Sequence, residues 1–226
     1  MRFQSALSML LIGLVAAVPA LAGVEEIRRA ESALRVLDEM NAAPDQRIPA
    51  SLLANAEAVA VIPDVVKAGL VVAGRHGKGM LAVRGEDGSW SNPSFISLSG
   101  GSLGLQAGVQ SSDLILVFRT RRGVESLNRG KFTLGADAAV AAGPVGRYTQ
   151  AATDKHFKAE IYAYSRARGL FAGIALNGAV LGIDDRANAT VFGDDVTPRM
   201  IFDGEVRRVP SRLIDFRDRL EEASAQ

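Results

Sequence analysis

The segment that most constrains the fold is 159–184, AEIYAYSRARGLFAGIALNGAVLGID, because its side chains alternate in character along the chain. Extended backbone would place Tyr162 and Tyr164 on one side and the residues between them on the other, since successive strand side chains point to opposite faces. The alternation stops at 168–169 and then resumes, which predicts a β-hairpin. The Asn-Gly pair at 177–178 predicts a second turn before a further strand.

Strand-like segments recur through the middle of the chain. A run that is apolar on both faces is typical of a central strand, whereas alternation indicates a strand whose two faces pack differently. The glycine-rich segment 74–79 is interpreted as a hairpin loop, and Pro63 as the end of the first buried strand. The predicted strands are 58–62, 70–73, 80–84, 101–110, 114–118 and 132–142.

Three segments have the apolar spacing of an amphipathic helix. In 25–40 the apolar side chains repeat at steps of three and four residues. A polar linker at 41–49 precedes a second helix at 50–56, and a third helix is predicted at 210–223. The sequence therefore predicts an α+β domain: an antiparallel β-sheet or partly closed barrel of several strands, covered by N- and C-terminal helices.

The first 22 residues have the form of a secretory signal peptide. Arg2 supplies the positive end, 6–18 is a short apolar run, and 20–22 fits the small-x-small rule for cleavage. The run is shorter than the about 20 apolar residues that cross a bilayer, so no transmembrane span is expected in the mature chain. We therefore expect an exported, periplasmic protein, able to lie peripherally on a membrane, with a single domain over 23–226.

The charge balance and the residue inventory exclude several classes of function. Without Arg2 the chain has 25 basic and 25 acidic side chains, so it has no bulk attraction for nucleic acid. The absence of cysteine excludes disulfides and thiolate metal sites. The two histidines, His76 and His156, lack the spacing of a metal site. No metal and no cofactor are expected.

Catalytic motifs are also missing from the sequence, which contains neither a GxSxG elbow nor an SxxK motif. Its glycine-rich segments do not match a phosphate-binding or dinucleotide-binding pattern. The densest group of titratable side chains is 153–156, and a hydrolase that uses His156 and Asp154 is one alternative, because a triad assembles in space. The sequence names no nucleophile for it, so no catalytic residue is assigned.

Basic residues recur at predicted turns and strand ends. Glycine turns expose backbone N–H groups, and neighbouring Lys and Arg side chains supply the charge that an anionic head group needs. If these strand ends converge, they form a binding patch; otherwise the residues are separate solvated charges. The candidate lipid-binding residues are Lys67, Arg75, Lys78, Arg119, Arg121, Arg122, Lys131 and Arg147.

Several segments, in this order along 48–184, resemble the SYLF domain family. They are AEAVAVIPDVVKAGLVVAGRHGKGMLAVR, the W-S-x-P motif at 90–93, GGSLGLQAGVQSSDLILVF, GKFTLGADAAVAAGPVGR and ATDKHFKAEIYAYSRARGLFAGIALNGAVLGID. The tyrosine-serine-arginine string at 162–169 is especially characteristic of the family.

The resemblance implies a non-enzymatic phospholipid-binding domain. Phosphoinositides are the ligands usually named for eukaryotic members of the family, which work beside actin in the cytosol. For an exported bacterial member, the resemblance instead implies anionic phospholipids of the cell envelope. A structural envelope protein that docks an unknown protein partner is the other alternative.

Overall fold

The computed structural model describes residues 23–42, 48–69, 72–103, 108–128, 131–144, 159–167, 170–174 and 176–225. The predicted signal peptide at 1–22 lies outside these residues. The helices are α1 (Val24–Ala42), α2 (Ala50–Ala54), α3 (Arg121–Asn128), α4 (Asp185–Phe192), α5 (Pro198–Phe202) and α6 (Ser211–Ser224). The strands are β1 (Ala58–Gly69), β2 (Val72–Val83), β3 (Ser94–Leu103), β4 (Gly108–Phe118), β5 (Lys131–Thr133), β6 (Val140–Ala142), β7 (Ile161–Ala167), β8 (Leu170–Gly173) and β9 (Val180–Ile183).

The strands form one sheet in the order β5–β9–β3–β2–β1–β4–β7–β6, with β8 paired to β7. Its two outermost strands, β5 and β6, are joined only by residues 134–139. Six residues span at most about 20 Å, so the two edges of the sheet must approach each other. A β-bridge between Leu134 and Ala138 lies at this junction. The sheet is therefore curled into a half-barrel, which confirms the predicted fold class.

The two faces of the sheet pack into separate hydrophobic cores. The helix face lies under α1, α2, α4 and α6, whereas the inner face is filled by α3 and by the residues around β5 and β9. Tyr162 and Tyr164 lie on the helix face, and Ile161 and Ala163 lie on the inner face. The alternation in β7 therefore predicted the two faces correctly, and the predicted hairpin is formed by β7 and β8.

The prediction that the first strand ends at Pro63 is wrong, because β1 continues to Gly69. A β-bulge interrupts its pairing with both β2 and β4 around Pro63. Proline lacks an N–H group and is tolerated at a bulge, where the ladder is already interrupted. Asp64 adopts a left-handed φ of 50°. Its N–H donates to Asp113 Oδ1 at 3.1 Å, which ties the bulge to β4.

The predicted hairpin loop at 74–79 is also wrong, since these residues belong to β2. Their glycines allow a close approach between strands rather than a turn. A Cβ atom on Gly79 would lie 2.7 Å from Ile62 Cα, in the backbone beside the bulge. The chain instead reverses earlier in the sequence than predicted, between Gly69 and Ala73, which pair with each other.

Two other predicted strands are divided in the structure. The segment 101–110 contains the end of β3 and the beginning of β4, which lie on opposite sides of the β1–β2 pair. The segment 132–142 contains β5 and β6, separated by a turn in which Gly135 has a φ of 87°. Small residues continue the alternation through both segments, so the period-two pattern contains no signal for a change of strand.

The terminal helices close the helix face, and α1, α2 and α6 match the predicted helices closely. Trp90 ties α6 to the sheet: its Nε1 donates to Ser224 Oγ at 3.0 Å, and its backbone N–H donates to Glu221 at 2.6 Å. The W-S-x-P motif thus anchors the C-terminal helix. Among the helices that the structure describes, none is long and apolar enough to cross a membrane.

Candidate functional site

A cleft on the inner face brings together polar side chains from four strands. Lys67 of β1 lies directly opposite Arg75 of β2 in the ladder. Gln110 and Ser112 of β4 and Ser165 of β7 complete its polar lining. This basic cleft has a volume of about 150 Å³. Its apolar lining consists of Val65, Leu114, Ile174 and Leu176.

The bulge in β1 is the reason that Lys67 faces this cleft. Before the bulge, Val59 and Val61 point to the helix face. After it, Val65 belongs to the inner core and Lys67 lines the cleft beside it. A shift of one residue moves every later side chain of a strand to the other face. Without the extra residue at Pro63, Lys67 would point toward the helices.

The basic cleft concentrates hydrogen-bond donors without a negative charge. None of its lining residues is acidic. In the part of the chain that the structure describes, neither Lys67 nor Arg75 forms an ion pair with a carboxylate. Burial lowers the pKa of the Arg75 guanidinium, although an arginine remains charged at neutral pH. Like charges directly opposite on adjacent strands repel, so an anion between them would be stabilising.

The basic side chains at the opposite end of the sheet are neutralised by carboxylates. Arg121 Nε lies 3.0 Å from Glu57 Oε2, and its Nη1 lies 3.9 Å from Glu86 Oε1. Arg122 Nη1 lies 3.7 Å from Glu160 Oε1. We call this region the paired end. Its arginines are exposed, but their nearest partners are already acidic groups of the same chain.

The other predicted basic residues do not join the basic cleft. Arg119 directly follows β4 at the paired end, and Lys131 begins β5, opposite Gly182. Lys78 Nζ donates to Glu25 Oε1 of α1 at 3.1 Å on the helix face. Arg147 lies outside the described residues.

The basic cleft and the paired end are too far apart to form one patch. Ala58 lies opposite Phe118 at the paired end, whereas Lys67 lies nine positions farther along β1, opposite Gln110. At 3.3 Å per residue, these positions are about 30 Å apart. The structure therefore brings Lys67 and Arg75 together in one cleft and separates them from Arg121 and Arg122.

More than half of the chain matches a known protein family. Residues 99–223 match the family model Ysc84, described as "Las17-binding protein actin regulator". The chain belongs to the Ysc84 (SYLF) family. It is 36% identical over 170 residues to LAS seventeen-binding protein 3 of Saccharomyces cerevisiae, covering 74% of this chain and 37% of that protein. It is 34% identical over 199 residues to SH3 domain-containing YSC84-like protein 1 of Homo sapiens, covering 87% of this chain and 58% of the relative.

The family assignment concerns the SYLF domain that these proteins share. The matched region spans only 37% to 58% of the length of these two relatives. Their names attribute Las17 binding to one and an SH3 domain to the other. These attributes belong to longer proteins. The family assignment therefore applies to this chain, whereas the binding partners of the relatives are not assigned to it.

A charged network connects two strands of the basic cleft on the opposite face of the sheet, which is the helix face. Arg166 of β7 pairs with Glu39 of α1 and lies 3.4 Å from Asp113 Oδ2 of β4. Asp113 and Arg166 directly follow Ser112 and Ser165, two cleft residues whose side chains point to the other face. In this SYLF domain, the network therefore fixes the spacing of β4 and β7 beneath the cleft.

The sequence-based prediction missed the three uncharged polar residues of the basic cleft, Gln110, Ser112 and Ser165. A signal for this region was nevertheless present. No Asp or Glu occurs between Val65 and Gly85 or between Gly88 and Ser112, although 23% of the chain is charged. In a nearly neutral chain, the basic residues of acid-free segments of this length can pair only with carboxylates from elsewhere in the chain. Among the described residues, Lys78 does so with Glu25, whereas Lys67 and Arg75 do not.

The structure offers no support for a metal site in the ranges that it describes, since no three His, Asp or Glu side chains there are grouped to hold an ion. His76 is exposed on β2. Asp154 and His156, the residues of the hydrolase alternative, lie outside the described residues.

Proposed function

We propose that this SYLF domain binds anionic phospholipids at a membrane surface and that the basic cleft receives a head-group phosphate. The observation that carries the proposal is the pairing of Lys67 with Arg75 in a cleft whose lining is free of carboxylates. The domain acts by binding rather than by catalysis. Its proposed place is the periplasmic side of a bacterial envelope, in keeping with the signal-like segment at 1–22.

Phosphate suits the donors of the basic cleft. A guanidinium donates two parallel hydrogen bonds to phosphate oxygens, and an ammonium group adds a compact positive charge. Ser112, Ser165 and Gln110 offer further donors around the same space. The apolar side chains Ile174 and Leu176 lie beside them and can contact the lipid next to its head group.

Co-sedimentation with vesicles tests the proposal. We expect the purified chain to sediment with vesicles of equal parts phosphatidylglycerol and phosphatidylcholine, and to do so less with phosphatidylcholine alone. The double variant Lys67→Gln with Arg75→Gln should bind about 30-fold more weakly, because each basic residue near an anionic surface is worth about 1 kcal/mol.

The matched control is Arg121→Gln with Arg122→Gln, which removes the same two charges from the paired end. This variant should bind within about twofold of the unmodified chain, because exposed ion pairs contribute little and these arginines already have partners. Circular dichroism should show that both variants are folded. Equal weakening by the two variants would mean that only net charge matters and would refute the cleft as the site.

A second candidate function is docking of a protein partner, which is suggested by the Las17 binding in the name of the yeast relative. This alternative predicts that the chain remains in the supernatant when vesicles of either composition are sedimented. It also predicts a complex of defined stoichiometry with one purified partner. The acid-free lining of the cleft favours lipid phosphate over this alternative.

A further inference from the structure

Four strands extend beyond their neighbours and form a projecting end of the sheet. The strand β9 pairs only with residues Ile96 to Ser99 of β3, and β7 pairs only with residues Asp113 to Phe118 of β4. In the described part of the chain, 100–103 and 108–112 therefore have a strand neighbour on one side only. The projecting end consists of 65–69, 72–77, 99–103 and 108–112.

The helix face of the projecting end is exposed toward its tip. The inner face at this end carries the basic cleft, whereas α1 borders the other face at its base, where Val66 and His76 share a groove with Glu25, Arg28 and Arg29. We call that second surface the bare face, and its members alternate with the cleft residues along each strand. All the described side chains on it are exposed, among them Val66, Ala68, His76, Ser99, Val109 and Ser111.

The bare face carries most of the exposed large hydrophobic side chains among the residues that the structure describes. The described residues include three large hydrophobic side chains that are exposed, namely Val24, Val66 and Val109, and two of them lie on this face. Val109 is 78% exposed and lies opposite Ala68, one pair before the last described pair of β1 and β4, Gly69 and Gly108. Val24 directly precedes Glu25, whose carboxylate reaches Lys78 on β2. Apolar exposure of this kind marks an interaction surface when it is concentrated in one place.

The charge around the bare face complements an anionic bilayer. Neither 65–85 nor 88–112 contains an acidic residue, so the described strand residues beyond Asp64 present no carboxylate to lipid phosphates. The acidic side chains beside Val66 are Asp64 of β1 and Glu25 of α1, which lie at the base of the projecting end, farther from the tip than Val109. The cations Lys67 and Arg75 lie on the opposite face of the same strands. An end that is basic on one face and apolar on the other suits the boundary between head groups and acyl chains, where peripheral segments insert by about 5–10 Å.

We propose that the projecting end enters the bilayer interface tip first, with Val109 deeper than Val66. This inference rests on the proposed phospholipid binding and adds the surface and the depth of insertion. Val66 lies opposite Ser111, two positions farther from the tip than Val109. At 3.3 Å per residue, the two side chains differ in depth by about 7 Å.

The lack of cysteine allows a direct test of this geometry. The variants Val109→Cys, Val66→Cys and Glu86→Cys each receive one environment-sensitive NBD label. The Glu86 position is the control, because its side chain is 93% exposed and belongs to the paired end. On addition of the phosphatidylglycerol–phosphatidylcholine vesicles, emission should increase and shift to the blue for the label at 109, less so at 66, and not at 86. Nitroxide-labelled acyl chains should quench the three labels in the same order.

A second pair of variants tests the contribution of the valines to binding. Val66→Ser with Val109→Ser should weaken vesicle binding at least tenfold, because each buried methyl or methylene group contributes about 0.8 kcal/mol. The weakening should persist in about 0.5 M salt, where electrostatic attraction is strongly screened. Ala68→Ser is the control on the same face and should change binding by less than threefold.

The outcomes separate the two proposals. Sedimentation with a silent label at 109 would overturn the insertion geometry and leave phospholipid binding intact. A label at 86 that responds as strongly as the label at 109 would overturn the orientation. Failure of the chain to sediment with either kind of vesicle would overturn both proposals.

Discussion

The two ends of the same sheet carry basic residues in different states. At the paired end, Arg121 lies 3.0 Å from Glu57 and Arg122 lies 3.7 Å from Glu160. In the basic cleft, Lys67 and Arg75 face each other without an acidic lining residue. The residue types are the same at both ends, so the difference lies in what surrounds each charge.

This difference indicates which basic residues contribute to the stability of the fold and which are available to bind a ligand. An exposed ion pair contributes at most about 1 kcal/mol and satisfies both of its members. Two cations on adjacent strands repel instead, and this repulsion is relieved when an anion binds. The basic cleft is thus a site that a ligand would stabilise, whereas the paired end is already satisfied. The predictions below test whether the two ends differ as the contacts indicate.

The largest effect is expected at the bulge that turns Lys67 toward the inner face. Gly79→Ala should lower the free energy of unfolding by about 3 kcal/mol, because overpacking against backbone cannot be relieved by a side-chain rotation. The added Cβ would lie 2.7 Å from Ile62 Cα. Urea denaturation provides the measurement. A loss below about 0.5 kcal/mol would show that the bulge is not held by this close approach.

Gly74→Ala is the matched control for this change. Gly74 lies on the same strand, but a Cβ there would have no heavy atom within 4 Å. Its replacement should leave the free energy of unfolding within about 0.5 kcal/mol or raise it slightly, because alanine has less conformational freedom in the unfolded chain. An equal loss in both variants would point to a general intolerance of β2 rather than to the bulge.

The glycines of β2, compared with β7 and the terminal helices, show how far the fold could be predicted from the sequence. Period two in β7 predicted the faces of Tyr162 and Tyr164, and apolar spacing predicted α1 and α6, because both patterns report burial directly. The glycines of β2 were misread as a loop. Glycine permits both turns and close approach, and only the three-dimensional path of β1 past Pro63 distinguishes these two uses.

A smaller effect is expected when one carboxylate is removed from each end. Asp113→Ala should lower the free energy of unfolding by about 2–3 kcal/mol, because it removes a largely buried carboxylate that accepts from the Asp64 N–H and lies beside the charged Arg166. Asp113 accepts from the Asp64 N–H and lies 3.4 Å from Arg166, and its side chain is only 9% exposed. Urea denaturation again provides the measurement.

The counterpart at the paired end is Glu57→Ala. Its ion pair with Arg121 is partly exposed, so the loss should stay below about 1 kcal/mol. If both variants were destabilised equally, the charges behind the basic cleft would be no more essential than surface pairs, and the contrast between the two ends would fail.

The candidate site was only partly predictable, and the reason is again geometric. Lys67 and Arg75 were identified among the basic residues at strand ends, but so were Arg121 and Arg122. The sequence does not show that Glu57 and Glu160 reach the latter pair, because those contacts connect residues far apart in the chain. Ser112 and Ser165 carry no charge signal, and their role depends on the face to which β4 and β7 turn them.

The smallest effect concerns Lys78, which lies between the two extremes because its single partner is an exposed carboxylate. The hydrogen bond from Lys78, together with its charge, holds the pKa of Glu25 below the usual value of 4.5. A carboxyl with a lowered pKa in the folded state stabilises the fold above its unfolded pKa, and this contribution disappears as the pH falls through the folded value.

We therefore expect Glu25→Gln to be slightly less stable than the unmodified chain at pH 7. The difference should shrink below about pH 4.5 and vanish once Glu25 is protonated in both states. Urea denaturation across this pH range measures it, with Glu86→Gln as a control at the paired end. A difference that stayed constant from pH 7 to full protonation would mean that Lys78 is not held by Glu25. Lys78 would then belong with Lys67 and Arg75, which have no carboxylate partner among the described residues.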